Sequence, residues 1–205
     1  MASDEALYAA WAGGDRRAGG RLIDRHLPSL ARFFGAKLSD PSAADDLVAK
    51  TFEVCAAKLG SFRGDGTFRA YMFAIAHNHL RNHLRGLQRA GERFEALEIS
   101  VADLDPTASR LLVRDEQRRL LLLALRSIPI DMQVAIELSY FEEMSRAEIA
   151  EVLGIPPGTV AGRLRRGREL LERKIEQLAN QPQLRRTTID SISAWAARLE
   201  LDRRG

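Results

Sequence analysis

Between Ser145 and Ile175 the chain reads SRAEIAEVLGIPPGTVAGRLRRGRELLERKI, two stretches of helical periodicity separated by Gly-Ile-Pro-Pro. No other segment restricts the fold so tightly. In the first stretch Ile149, Ala150 and Leu153 recur at helical spacing, Gly154 supplies the permissive backbone of a sharp turn, and Pro157 suits the first turn of a second helix, where no N–H is needed. Along that second helix Val160, Leu164, Gly167, Leu171 and Ile175 fall on one side, with Gly158, Gly162, Arg165 and Arg166 opposite. This is the layout of a helix-turn-helix that reads DNA. Two positions without side chains, flanked by guanidinium groups, suit close approach to the floor of a major groove. A solvated, charged helix in an ordinary helical pair satisfies the same spacing.

Helical periodicity dominates elsewhere, and no segment alternates as a strand would, which predicts an all-α protein. The expected architecture is two small helical domains joined by an acidic flexible linker, the second containing the helix-turn-helix. The first domain spans residues 3–87, with helices near Asp4 to Trp11, Asp15 to Lys37, Ser42 to Leu59 and Phe68 to Leu87. Ser42, followed by Asp45 and Asp46, reads as the start of the third helix, a hydroxyl to cap and carboxylates for the positive end of the dipole. Periodicity fades over residues 88–108, where Glu92, Glu95, Glu98, Asp103 and Asp105 gather ahead of or beside Pro106; a solubilising tether accounts for them as well as a specific role does. Residues 109–179 form the second domain. The extension 180–205 places Ile189, Ile192, Trp195 and Leu199 near helical spacing, a possible amphipathic helix.

Of 205 residues, 45% are hydrophobic and 29% charged, which excludes a disordered or fibrous chain. The net charge of +3 is only mildly basic, but the cations cluster between Arg63 and Arg93 and between Arg163 and Lys174, as suits a polyanion gripped at two places. Cys55 stands alone in an apolar helical setting and reads as a buried small side chain. No secretory leader is recognisable at the N-terminus, and the longest apolar run, Leu120 to Leu125, is too short to cross a bilayer. A cytoplasmic location is therefore expected.

The segments ADDLVAKTF (Ala44 to Phe52) and LGSFRGDGTFRAYMFAIAHNHLRNHLR (Leu59 to Arg85) resemble the first conserved domain of the extracytoplasmic-function sigma factors of bacterial RNA polymerase, and Ser127 to Ile175 resembles their second. The resemblance implies a dissociable promoter-specificity subunit that partners core polymerase and promoter DNA, duplex and single-stranded, and that an anti-sigma protein often silences. It implies that Asp45, Asp46, Leu47, Val48, Thr51 and Phe52 dock on the clamp helices of the largest polymerase subunit. Ala49 and Lys50 stand where the family commonly has glutamine and glutamate.

The resemblance assigns capture of a flipped minus-ten base to the loop carrying Ser61, Phe62 and Arg63 and to the helix after it. From Phe68 onward, helical spacing puts Tyr71, Asn78, Arg81 and Arg85 on one side, and Met72, Ala76, Leu80 and Leu84 on another. A ring, an amide and two cations on one surface can stack on an unpaired base, bond its edge and hold its phosphates. Tyr71 replaces a tryptophan and Asn82 an aspartate usual in relatives. For the minus-thirty-five element the resemblance points to Thr159, Arg163, Arg165, Arg166 and Arg168, with Ala161 and Gly162 in place of a usual basic residue and serine. The acidic linker would thread through the polymerase, occupying a basic channel until RNA displaces it.

No catalytic constellation is recognisable: there is no phosphate-binding glycine loop, no GxSxG elbow and no paired acids in a catalytic context. No cofactor is implied. His79 and His83 are four apart, yet a third metal ligand is not evident, so no metal site is assigned. The competing reading is a two-domain regulator that binds duplex operators without polymerase; a helical adaptor between proteins is a third.

Overall fold

In a computed structural model, the structure describes residues 2–59, 66–89 and 116–179, with Pro182, Arg186 and Ile189. Among these residues there are eight helices and no strand: α1 (Asp4–Ala12), α2 (Arg16–Gly35), α3 (Pro41–Ala57), α4 (Phe68–Arg89), α5 (Glu116–Arg126), α6 (Ile130–Tyr140), α7 (Arg146–Leu153) and α8 (Pro157–Leu178). The all-α expectation holds. The linker from 90 onward, and Ile192, Trp195 and Leu199 of the extension, lie outside the described residues.

Local chemistry explains the boundaries. Ser3 caps α1 through its hydroxyl to Ala6 N–H, and Asp15 caps α2 by accepting from Arg17 and Ala18. The start of α3 differs from the sequence expectation. Asp40, not Ser42, is the cap, accepting from the Ser42 N–H, with Pro41 in the first turn. An Asp-Pro pair is the stronger stop-and-start signal, because proline's fixed φ is already helical and its missing N–H leaves one fewer donor to satisfy. Ahead of α7, Ser145 and Glu148 form a reciprocal capping box, and Gly154 ends the helix in the left-handed region at φ 63°.

The chain divides into two compact units. The first gathers α1 to α4 with residues 141–161, so that α7 and the opening turn of α8 pack with the N-terminal helices. Its centre is aromatic and aliphatic: Leu22, Leu30, Phe34, Phe68, Phe73 and Leu80 are fully buried. Trp11 lies so close over Gly19 that a Cβ there would fall 2.7 Å from the indole, which is why a helix interior tolerates this glycine. Buried Lys37 is satisfied by donating to the Phe33 carbonyl at 2.8 Å while its ammonium sits 3.9 Å above the Phe33 ring. Cys55 is fully buried, and burial pushes its thiol up to about 12.

The second unit comprises α5, α6 and α8 from Gly162 onward. Leu120, Leu125, Ile136, Leu171 and Ile175 form its core, with Ile189 of the extension packed against it. Gly167 marks the closest approach of α6 to α8: a Cβ there would meet Ile136 Cδ1 at 3.0 Å and Met132 Cβ at 3.2 Å.

Candidate nucleic-acid interface

Helix α4 carries the first cluster of expected site residues. Its start is held by three groups: Thr67 Oγ1 accepts from Ala70 N–H, the Thr67 carbonyl accepts from Tyr71 N–H, and Glu5 reaches across from α1 to accept from Phe68 N–H. With the helix so fixed, Phe68, Met72, Ala76, Leu80 and Leu84 turn inward, and Asn78, Arg81 and Arg85 stand exposed. An amide and two guanidinium groups therefore project from one rigid surface. Tyr71 differs from them. It is half-buried, edge-on to Tyr8 with ring centroids 6.5 Å apart and 6.4 Å from Phe68, so its position is fixed by packing. Ser61, Phe62 and Arg63 lie outside the described residues.

The three histidines of α4 serve different ends. His77 is buried, and its Nδ1 donates to the Val152 carbonyl at 3.2 Å. His79 is half-buried; burial, reinforced by the nearby Lys50 ammonium, lowers its pKa and favours the neutral ring. Among the described residues no three His, Cys, Asp or Glu side chains converge as metal ligands.

On α3 the helical period sorts the expected polymerase contacts into two groups. Asp45 and Asp46 are exposed, whereas Leu47, Val48, Thr51 and Phe52 are buried in the core, Thr51 donating to the Leu47 carbonyl at 2.7 Å. Those four hold α3 in place. The face open to a partner is Asp45, Asp46, Ala49, Lys50 and Glu53, with Asp46 and Lys50 paired at 2.9 Å. Sequence reasoning named neither Lys50 nor Glu53 as part of this ridge. The signal was present in the 3.6-residue period that carries the inward positions.

The arginines of α8 are not equivalent. Arg163 is largely covered and paired with Asp131 at 3.1 Å, Arg165 is exposed beside Glu169, and Arg168 is 3.9 Å from Glu172. Thr159 and Arg166 are exposed, and no ion pair to a described residue occupies Arg166. It is the arginine most available for a base edge or a phosphate. Gly158 is exposed and Gly162 half-exposed, as close approach to a groove requires.

Residues 22–90 match the sigma-70 region 2 family and residues 118–171 match sigma-70 region 4. The RNA polymerase sigma-H factor of Pseudomonas aeruginosa is 28% identical over 87% of this chain and 96% of its own length. The ECF RNA polymerase sigma-E factor of Haemophilus influenzae is also 28% identical, over 86% of this chain and 97% of its own. Among solved structures, CnrH in complex with the cytosolic domain of CnrY superposes with a TM-score of 0.65 at 28% identity, covering 86% of this chain and 99% of CnrH. The sigma factor RpoE of Bartonella quintana, solved with the anti-sigma factor NepR, shares the fold at a TM-score of 0.61 and 24% identity, over 78% of this chain and 98% of its own.

Proposed function

Because this chain belongs to the extracytoplasmic-function family of RNA polymerase sigma factors, we propose that its parts divide promoter recognition as follows. The acidic ridge of α3 docks on core polymerase, the exposed face of α4 captures an unpaired minus-ten base, and α8 anchors the upstream duplex. The domains assigned to these tasks are 3–87 and 109–179, joined by 88–108 and followed by the extension 180–205. The single observation that carries this reading is the exposure of Asn78, Arg81 and Arg85 on one side of a helix whose opposite side is wholly buried. Surface amides and guanidinium groups held on a rigid helix lose little entropy when they bind. Such groups bond a base edge and neutralise its flanking phosphates.

Melting then needs no nucleotide hydrolysis. Unstacking a base costs a few kcal/mol, and stacking plus edge contacts return about 1–3 kcal/mol per base. RNA synthesis belongs to the polymerase, and this chain contributes specificity without catalysis. No described helix is long and apolar enough to cross a membrane, and the site of action is the cytoplasm, where polymerase and DNA meet. CnrH was solved with the cytosolic domain of CnrY bound; by that similarity an inhibitory anti-sigma protein is assigned as a regulatory partner.

The deciding experiment is transcription in vitro from genomic fragments with core polymerase, adding this chain and probing unpaired thymines with permanganate. Start sites and reactive thymines that depend on both components are expected. A chain that binds its duplex equally well without polymerase, and leaves it paired, would be a conventional regulator instead. Within the upstream contact, Arg166→Ala is expected to weaken holoenzyme binding to the minus-thirty-five duplex by about 1–3 kcal/mol. Arg165→Ala should cost less, because Glu169 already engages that guanidinium. Competition binding at fixed salt measures both.

A further inference from the structure

Helix α7 is the first helix of the helix-turn-helix, yet both of its ends are tied to groups at the start and middle of α4. At its N-terminus Glu148 accepts from Thr67 Oγ1 at 2.7 Å and lies 3.7 Å from Arg69, while its other oxygen serves the capping box. At its C-terminus the Val152 carbonyl, one of the four a helix leaves without an internal partner, accepts from buried His77. Glu151 lies across Gly66, where an added Cβ would fall 2.7 Å from its carboxylate. One step before α7, Glu142 pairs with Arg32 of α2 at 2.6 Å, with only a tenth of the acid side chain exposed. Ile149, Ala150, Val152 and Leu153 are buried.

From this arrangement we infer that residues 142–151 form a latch: in the chain free of polymerase, carboxylates of this segment hold α7 on α4 and close the Gly66–Thr67 end of the base-capture loop. The inference rests on the role proposed above for that loop. It follows from charge as much as from position. Glu142, Glu148 and Glu151 present to Arg32, Arg69 and the loop end the same sign of charge that a DNA strand would bring, so strand and α7 compete for one place. Holding α7 there also fixes the turn from which the DNA-reading helix departs. Binding core polymerase must therefore withdraw α7 before α4 can receive a base.

The test uses the full chain with spin labels at Asn82→Cys on α4 and Ala147→Cys on α7, both exposed positions. Cys55 is buried and does not compete for the label. The free chain should give one short, narrow label separation that lengthens on binding core polymerase. The double variant Arg32→Glu, Arg69→Glu leaves the α7 capping box intact and sets acid against acid. It should lower the closed-to-open ratio of the free chain roughly tenfold, a modest shift of the size that partly buried ion pairs produce. Adding Glu142→Arg should restore part of the short separation.

A free-chain distribution as broad as that of the double variant overturns the latch, as does an unchanged short separation in holoenzyme that opens a promoter. The wild-type comparison with and without polymerase stands even if the double variant does not fold. Permanganate reactivity in the same samples separates the two readings. Unpaired thymines with no change in separation defeat the latch alone, and absent thymines defeat the proposed function of α4.

Discussion

Replacing Asn78 with alanine is expected to slow promoter opening by about ten- to a hundredfold while leaving closed-complex affinity within about twofold. The size follows from losing the hydrogen bonds of one amide to a base edge, about 1–3 kcal/mol of discrimination. It appears in the opening step because those bonds form only once the base has left the stack. The fold is not at stake: Asn78 is exposed on the middle of α4, and substitutions at such positions typically change stability by less than about 0.5 kcal/mol. Tyr71→Ala makes the useful contrast. That ring packs on Tyr8 and Phe68, so its loss should lower the melting temperature as well as opening. Permanganate kinetics paired with filter binding reads both steps. Asn78→Ala opening at the wild-type rate would remove this face of α4 from base capture.

Much of this was legible because local chemistry and tertiary demand agree. Ser3, Asp15, the Ser145–Glu148 box and Gly154 each mark a helix end in sequence and cap one in the structure. Asn78, Arg81 and Arg85 were placed together by period alone, since the apolar positions between them leave a single orientation for the helix. The misreading at α3 has a local cause. Ser42 is a good capping residue, but Asp40-Pro41 lies two positions earlier and a helix already begun leaves Ser42 nothing to cap. The partners of Glu148 and His77 were not legible at all. They lie 81 and 75 residues away along the chain, and a capping glutamate looks the same in sequence whether or not its second oxygen meets a threonine and an arginine from another helix. The electrostatics records that meeting: burial pushes the Glu148 carboxyl up, but hydrogen bonds from Thr67 and Ser145 and the Arg69 charge together hold it below the ordinary range. Burial and Glu148 itself raise its neighbour Glu151.

The second large effect is expected at Gly167, through packing. A leucine there must displace Ile136 and Met132, and the nearer constraint is severe, because Met132 Cβ at 3.2 Å is anchored to the α6 backbone and cannot rotate away. Overpacking of this kind costs about 1–3 kcal/mol and sometimes more, and the helix propensity gained over glycine, near 1 kcal/mol, offsets only part of it. The Gly167→Ala variant should be close to neutral, since its one added carbon meets the mobile end of Ile136 and shifts by a few tenths of an ångström meet the rest. Gly167→Leu should instead push α6 from α8 and break the Asp131–Arg163 pair one helical turn away. Upstream duplex recognition should then fall at least tenfold, while capture of a preformed single-stranded minus-ten oligonucleotide by holoenzyme persists, because α4 belongs to the other compact unit. Thermal unfolding by circular dichroism and binding to the two DNA forms measure the split. Gly167→Leu with unchanged melting and unchanged upstream affinity would mean that the α6–α8 spacing does not set the reading helix.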